Sequence, residues 1–364
     1  MIIGERVKIA RRAAGLNQRA LAEKAGVTAM AISKYERGLN IPSSAVLLRL
    51  ARALGIKTEY FVRPVTVTLR AGGPQGPEAL TAPSYRRRIS LLRNQEHVIM
   101  GQIQEWLERY LDLESFFEEL PRFSLPDGLD RRVTSLDEVE RVALALRQSW
   151  GLGQSPVESL VEVLEDHRVK VGLVDGPHGF DALTLWANDQ VPVIVVKRGL
   201  PGDRQRFNLA HELGHLVLGP AEGVDAEKAA YRFAGAFLVP EPAGRFELGQ
   251  QRQILDLYEL HLLKHKYGLS MQGWIYRAKD LGVLSESAAS RLFRQFRQHH
   301  WHHQEPGDPI PPEEPERMKR LVMRVLAEDL ISESRAAELL GMPLSQFYQE
   351  ESSQHAGFPV SMRG

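Results

Sequence analysis

Cysteine is absent from the 364-residue sequence. Its absence excludes disulfide bonds, thiolate zinc sites and a cysteine nucleophile, so His, Asp or Glu must hold any metal. The sequence also lacks a run of about 18 apolar residues, and its first six residues lack a basic region followed by an apolar one. We therefore expect a cytoplasmic protein with no membrane partner.

The sequence also has no net excess of either charge, because 46 Lys and Arg balance 46 Asp and Glu. The balance is uneven along the chain. Residues 1–65 hold twelve Lys and Arg against four Asp and Glu, a net charge of +8, so the remainder carries −8. A basic head on an acidic body is typical of a protein in which one part binds a polyanion. A scattered, solubilising surface charge is the alternative.

Gly- and Pro-rich segments predict linkers at 66–83 and 301–315, and the length suits a multi-domain chain. The predicted parts are a domain at 1–65, a helical connector at 84–149, a domain at 150–300 and a small α-helical C-terminal unit at 316–350. Three β-rich runs, at 169–174, 183–186 and 191–196, predict a small sheet. The tract His299–His303 could bind metal, but beside a Pro-rich segment we favour a solvated tract.

The basic head has the pattern of an all-α helix-turn-helix domain. Ala22 is small where two helices would cross, Gly26 can adopt the positive φ of the turn, and Thr28 can cap the second helix. That helix would lie in the major groove of double-stranded DNA. The candidates for base contacts are Thr28, Ala29, Met30 and Ser33, and those for phosphate contacts are Gln18, Lys34 and Arg37.

The head resembles the Cro/cI-like, or XRE-type, repressor DNA-binding domain across residues 4–63. The resemblance rests on Leu16-Asn17-Gln18, on the segment 38–43 and on the closing segment 50–56. It implies a transcriptional regulator that binds double-stranded DNA. Because helix-turn-helix proteins usually read paired half-sites, we also expect a homodimer. The alternative, a helical bundle with no nucleic-acid role, fits the +8 charge less well.

A second motif, His211-Glu212-Leu213-Gly214-His215, has the H-E-x-x-H spacing. On a helix, positions i and i+4 share a face, so both imidazoles can reach one zinc ion, and Glu212 can act as general base. Two histidines buried only for packing are the alternative.

A catalytic zinc site usually has a third protein ligand. We expect Glu227, which opens a predicted helix able to pack antiparallel against the first. Glu222 and Asp225 are nearer in sequence but lie in the intervening loop, and they stay as alternatives.

These residues resemble the ImmA/IrrE family of zinc metallopeptidases over about 150–280. The likeness rests on five segments: Val193–Val196, Arg206–His215, Glu227-x-x-Ala230, Phe233-Ala234 and Phe237–Pro240. It implies an α+β, zincin-like peptidase domain with a small sheet and an H-E-x-x-H helix, with Glu227 as third zinc ligand. It further implies a protein substrate, a transcriptional repressor, cut in a stress or mobile-element response.

Tyr231 departs from this family, which usually has Asn or Asp at that position. Its hydroxyl could orient a histidine, or could polarise the substrate carbonyl as a catalytic group; otherwise the tyrosine indicates weakened catalysis. The alternative function is therefore a repressor or antitoxin-like DNA binder whose inactive peptidase fold serves as a sensor or dimerisation platform. A purely structural zinc would leave Glu212 without a role.

Overall fold

The computed structural model of the chain describes residues 2–70, 93–118, 120, 122–302 and 304–355. Most of the predicted linker at 66–83, the beginning of the predicted connector at 84–149 and His303 lie outside the described residues. The described residues form two compact units. The first comprises those within 1–69, 91–121 and 315–364, and the second those within 70–90 and 122–314.

The helices of the described chain are α1 (Ile2–Ala13), α2 (Gln18–Ala25), α3 (Ala29–Glu36), α4 (Ser44–Leu54), α5 (Arg93–Glu114), α6 (Glu138–Ser149), α7 (Leu160–Asp166), α8 (Gly202–Val217), α9 (Ala226–Leu238), α10 (Glu241–Leu248), α11 (Leu257–Tyr267), α12 (Met271–Asp280), α13 (Glu286–Gln298), α14 (Arg317–Ala327), α15 (Glu333–Leu340) and α16 (Leu344–His355). A 3-10 helix spans Thr58–Val62. The strands are β1 (Leu69–Arg70), β2 (Arg132–Val133), β3 (Lys170–Val174), β4 (Ala182–Ala187), β5 (Val191–Lys197) and β6 (Gly219–Pro220). None of the described helices is long and apolar enough to cross a membrane.

Helices α1 to α4 form the helix-turn-helix head of the first unit. Gly26 ends α2 with a φ of 62°, and the Thr28 side chain accepts a hydrogen bond from the backbone N of Ala31, so both expectations for this turn are confirmed. Ile32 is fully buried among the apolar side chains of the other helices. The second helix of the motif is therefore held by one apolar side while its opposite side faces solvent.

Helix α5 joins the head to the C-terminal helices within the first unit. A Cβ added at Gly101 would lie 2.5 Å from the backbone N of Ala13, so α5 crosses α1 at a distance that only glycine permits. Further along α5, Tyr110 and Leu113 pack into a second apolar cluster with α14 to α16. The predicted connector at 84–149 is thus divided, since α5 belongs to the first unit and α6 to the second.

The second unit is an α+β arrangement around a small sheet. Strand β5 lies between β3, which is parallel to it, and β4, which is antiparallel to it. Helices α8 and α9 pack against each other, and α8 also packs on β4 and β5. The core between them is apolar, with Leu209, Leu213, Phe233, Phe237 and Trp274 fully buried. The predicted fold class, a helical head with a zincin-like α+β domain and a C-terminal helical unit, is confirmed.

The segment 304–314, here named the strap, lies within the linker predicted at 301–315. Rather than spanning solvent, it is bound to the second unit. The backbone N of Gly202 donates to the carbonyl of Ile310 at 2.8 Å, and the Gln205 side chain exchanges two hydrogen bonds with the backbone of Glu313. A Pro-rich chain has no hydrogen bonds within itself, so its backbone groups remain available to such partners.

Two acidic residues anchor the strap to buried cations. Glu313 pairs with Arg206, which is 5% exposed, and accepts a hydrogen bond from the backbone N of Val161 at 2.7 Å. Glu305 pairs with the buried Lys264 at 3.1 Å. Because a buried charge needs a partner, these ion pairs position the strap beside the beginning of α8.

We predict that Glu313→Ala destabilises the second unit by about 3 kcal/mol, because the change leaves the buried Arg206 charge without its carboxylate. Urea denaturation of the full chain, followed by tryptophan fluorescence, measures the effect. The control is Glu314→Ala, since Glu314 is the exposed neighbour. Equal midpoints for the two variants would show that the strap is not anchored in this way.

Candidate metal centre

Helix α8 carries the H-E-x-x-H motif through the interior of the second unit. Twelve of its residues are buried, among them His211 and Glu212. Asp203, in the first turn of this helix, does not cap it; its side chain is buried and pairs with Lys264 at 3.3 Å. The helix begins instead at Gly202, where an added Cβ would lie 2.2 Å from the carbonyl oxygen of Pro311 in the strap.

The three predicted metal ligands meet at one point. His211 Nε2 lies 3.1 Å from His215 Nε2, and each of these atoms lies 3.6 Å from a carboxylate oxygen of Glu227. His211 and His215 come from successive turns of α8, whereas Glu227 comes from the first turn of α9. The close packing of the two helices therefore creates the group.

Asp225 and Glu222, the alternatives for the third ligand, lie outside the group that His211, His215 and Glu227 form. Asp225 caps α9, accepting hydrogen bonds from the backbone N of Glu227 and of Lys228. Glu222 is exposed in the loop. Among the described residues, the group of His and acidic side chains whose ligand atoms lie within 4.8 Å of one another consists of His211, His215 and Glu227.

The donor set fits a zinc ion. Zinc lies about 2.0–2.2 Å from nitrogen and carboxylate ligands, so ligand atoms in a tetrahedral site are about 3.3–3.6 Å apart. The separations of 3.1 Å and 3.6 Å between the three side chains are close to that spacing. Three protein ligands also leave a fourth position for water or substrate, as in catalytic rather than structural zinc sites.

Glycine at the third position of the motif brings the two helices together. A Cβ at Gly214 would lie 3.2 Å from the Cα of Ala230 and 3.2–3.3 Å from the side chain of Phe233. A larger residue would therefore separate α8 from α9 at the level of the site. Because Glu227 is the only one of the three ligands on α9, its distance from the two histidines depends on this contact.

Glu212 is held by a residue that the sequence did not identify. Thr184 Oγ1 donates to Glu212 Oε2 at 2.7 Å and lies 3.3 Å from the Glu212 backbone oxygen. Thr184 stands on β4, within the run Leu183-Thr184-Leu185, and its neighbours on both sides are buried. A hydroxyl between apolar strand residues is the signal in the sequence, but its partner depends on how the sheet packs on α8.

Tyr231 contacts the site through its ring. The centroid of the ring lies 4.5 Å from that of His211 and 6.0 Å from that of Phe207, to which it is nearly parallel. The side chain is half exposed. It therefore covers one side of the His211 imidazole and faces solvent on the other.

The predicted DNA-contacting residues lie on the helix-turn-helix. Thr28, Ala29, Met30 and Arg37 are exposed, and Ser33 and Lys34 are partly exposed. Gln18 is different, because its side-chain amide donates to Glu36 at 2.8 Å, beside the ion pair between Glu36 and Arg11. A contact from Gln18 to a phosphate stays a prediction, and it would compete with this internal hydrogen bond.

The comparisons with known families identify both parts of the chain. Residues 7–61 match the family model described as helix-turn-helix, and residues 171–279 match the one described as IrrE N-terminal-like domain, of the M78 peptidases. The second match contains His211, Glu212, His215 and Glu227. The chain thus combines an XRE-type helix-turn-helix domain with an IrrE/ImmA-like domain.

Two curated relatives are transcriptional regulators by name. An uncharacterized transcriptional regulator in the ATPase CF(0) region of Rhodospirillum rubrum is 42% identical over 59 residues, which are 16% of this chain and 55% of that protein. An uncharacterized HTH-type transcriptional regulator of Sinorhizobium medicae (strain WSM419) is 28% identical over 94 residues, 26% of this chain and 66% of that protein. The chain thus spans about half to two thirds of the length of these relatives.

One solved structure was also compared. The apo form of ComR from S. thermophilus aligns with 93% of this chain and 98% of that chain at 12% identity. Its TM-score of 0.16 is too low to support an argument about the fold.

We predict that Gly214→Val weakens zinc binding at least tenfold, because the added side chain separates Glu227 from the two histidines. Competition with a zinc-binding dye measures the affinity without any assay of activity. Gly235→Ala is the control, since an added Cβ there meets only Arg277 Cδ at 3.7 Å, an ordinary contact. Unchanged zinc affinity in a folded Gly214→Val protein would contradict the role given to this crossing.

Proposed function

We propose that the protein is a DNA-binding transcriptional regulator whose second unit is a zinc-dependent endopeptidase. The observation that carries this proposal is the meeting of His211, His215 and Glu227 at zinc-ligand spacing, next to a buried carboxylate of Glu212 that Thr184 holds. By resemblance to the ImmA/IrrE family, the proposed substrate is a repressor-type protein cut in a stress or mobile-element response.

The chemistry is peptide hydrolysis without a covalent intermediate. His211, His215 and Glu227 would hold the zinc ion, which when bound polarises the substrate carbonyl and lowers the pKa of water. Glu212 accepts a proton from the attacking water as the new C–O bond forms. It then delivers that proton to the amide nitrogen as the C–N bond breaks, so that an acid and an amine are released.

Glu212 is suited to this part by its surroundings. It is 7% exposed, and the hydrogen bond from Thr184 to Oε2 holds the carboxylate in place. A fixed carboxylate transfers protons without first reorganising. Thr184 thereby acts as a positioning residue, whereas Glu212 touches the reacting atoms.

Tyr231 is proposed as a further catalytic group. It stands beside His211 with half of its surface open to solvent, so its hydroxyl can reach a bound peptide. In that position it could polarise the scissile carbonyl or orient the His211 ring. The same ring favours the rival function, in which it obstructs the site and the peptidase fold serves as a sensor or dimerisation platform for a DNA-binding repressor.

We propose that the head binds DNA through the exposed first turn of α3, the second helix of the helix-turn-helix. The head carries a net charge of +8, and the exposed first turn of α3 presents Thr28, Ala29 and Met30. Ala29 has no hydrogen-bonding side chain, so base discrimination would rest on the other positions and on contacts to thymine methyl groups. A homodimer reading paired half-sites is part of the same proposal.

We predict that Glu212→Gln abolishes peptide cleavage, by about 10²-fold or more, while zinc and DNA binding remain, because the amide cannot accept the proton. The zinc-loaded chain is incubated with a lysate of its source cells, and mass spectrometry maps newly formed N-termini. Glu222→Gln, in the exposed loop, is the control and should cleave like the wild type. Persistent cleavage by Glu212→Gln would refute the mechanism, and an uncleaved proteome with the zinc-loaded wild type would favour the rival.

We further predict that Lys34→Ala and Arg37→Ala each weaken the salt dependence of duplex DNA binding. The slope of the logarithm of the binding constant against the logarithm of the salt concentration should become shallower by about one in each variant, since each removes one phosphate contact. Fluorescence anisotropy at a series of salt concentrations gives the slope. Arg198→Ala, an exposed arginine of the second unit, should leave the slope unchanged. If Lys34→Ala and Arg37→Ala gave the same slope as Arg198→Ala, these two residues would not contact DNA phosphates.

A further inference from the structure

A cavity of about 750 Å³ lies inside the first unit, and its lining includes none of the metal-site residues. Its walls come from the end of the helix-turn-helix head at 55–66, from one face of α5 and from residues 334–344 at α15 and the turn that follows. The volume is within the range of sites that bind small molecules. Neither the proposed peptidase nor the proposed DNA contacts use this space.

The wall from α5 carries four charged side chains on one face, at spacings of three and four residues: Glu105, Glu108, Arg109 and Asp112. Most of them have partners on another element. The Tyr60 hydroxyl donates to Glu105 at 3.2 Å, and Arg6 pairs with Glu108. Burial raises the pKa of Glu105, as it does the pKa of Tyr60.

Two groups on this wall have hydrogen-bonding capacity that the described residues leave unused. Arg109 donates from Nε to the carbonyl of Leu339 at 3.1 Å, and within the described chain this is its one hydrogen bond. Burial lowers the pKa of Arg109. Glu108 Oε1 is buried and has no hydrogen-bond partner among the described residues. Buried polar groups are usually hydrogen-bonded to another protein group or to ordered water, so a polar ligand in the cavity can supply partners to both side chains.

We propose that the cavity binds a small zwitterion of the amino-acid class, with its carboxylate on Arg109 and its ammonium group on Glu108. The planar guanidinium matches a carboxylate through two parallel hydrogen bonds. Arg109 and Glu108 both line the cavity, so the two charged groups of one amino acid can each meet a side chain of opposite charge. The shared chemistry is one carboxylate and one ammonium, on a single amino acid or on a short peptide.

The remaining lining supports this choice of ligand. Five basic and four acidic side chains face the cavity, so neither a polyanion nor a polycation is favoured. Apolar contacts for a ligand side chain are available from Ile56, Met342 and Leu344. The nearly balanced charge and the apolar surface together suit a neutral zwitterion with a hydrophobic substituent.

The position of the cavity also gives the ligand a regulatory consequence. Glu338, on α15, pairs with Arg63 at 2.7 Å and with Lys57 at 3.7 Å, and both cations lie at the end of the helix-turn-helix head. A ligand in the cavity contacts these same elements. Its binding therefore stabilises the arrangement of the DNA-binding head against the C-terminal helices of this unit.

Isothermal titration calorimetry on the full-length protein tests the proposal. The probes are the standard L-amino acids, Ala-Ala and Ala-Ala-Ala, with acetate and methylammonium as molecules that carry only one of the two charges. We expect saturable binding of at least one amino acid or peptide with a Kd below about 1 mM, and no binding of the single-charge probes. Binding of acetate or methylammonium as tightly as the best zwitterion would overturn the proposal, as would the failure of every zwitterion to bind.

Variants then locate the site. Arg109→Gln and Glu108→Gln should each weaken binding at least tenfold. Ser334→Trp, at an exposed position of the lining, should block entry without disturbing the buried charges. Ser352→Trp, an exposed helical serine of the same unit outside the lining, should bind like the wild type. Wild-type affinity in Ser334→Trp contradicts the proposal even where Arg109→Gln fails to fold.

Discussion

The contact between α8 and α9 at Gly214 is the constraint on which the proposed chemistry depends. The H-E-x-x-H sequence places two imidazoles on one face of α8, but it cannot supply a third ligand. The proposed third ligand, Glu227, stands on the next helix and reaches the histidines because Gly214 lets the backbone of Ala230 approach. The surrounding apolar core, with Phe233 and Phe237 fully buried, keeps the two helices in this arrangement.

Buried ion pairs are the second means by which the unit keeps the site in place. Arg206 lies one and a half turns before His211 on α8, and it is paired with Glu313 of the strap. Lys264 lies between Asp203, near the beginning of the same helix, and Glu305 of the strap. The strap therefore contributes the carboxylates that compensate buried cations on and beside α8. Removing one partner of such a pair leaves an uncompensated charge.

The sequence predicted those parts of the structure that depend on residues close together along the chain. The turn at Gly26, the cap at Thr28 and the three β-rich runs are local patterns. The proximity of Glu227 to the histidines could be predicted from the sequence because one short loop connects the two helices. Family resemblance strengthened that expectation.

The remaining features depend on contacts between distant residues. Thr184 and Glu212 are 28 positions apart, and Arg206 and Glu313 are 107 apart. Proline content indicated a linker where acidic residues in fact bind the chain to buried cations. Gln18, a candidate for a phosphate contact, donates a hydrogen bond to Glu36 across the turn. Such pairings are decided by the tertiary structure, so local sequence patterns could not reveal them.

The most direct test of the account is the zinc content of the untagged protein, measured by elemental analysis and compared with that of His211→Ala. Both proteins are purified without nickel resin, because the histidines at 299–303 could carry nickel over. The account predicts about one zinc per chain in the wild type and its loss in His211→Ala. His261→Ala, a histidine outside the ligand group, should retain the metal. No zinc in the wild type after supplementation, or full zinc in His211→Ala, would contradict the metal centre described here.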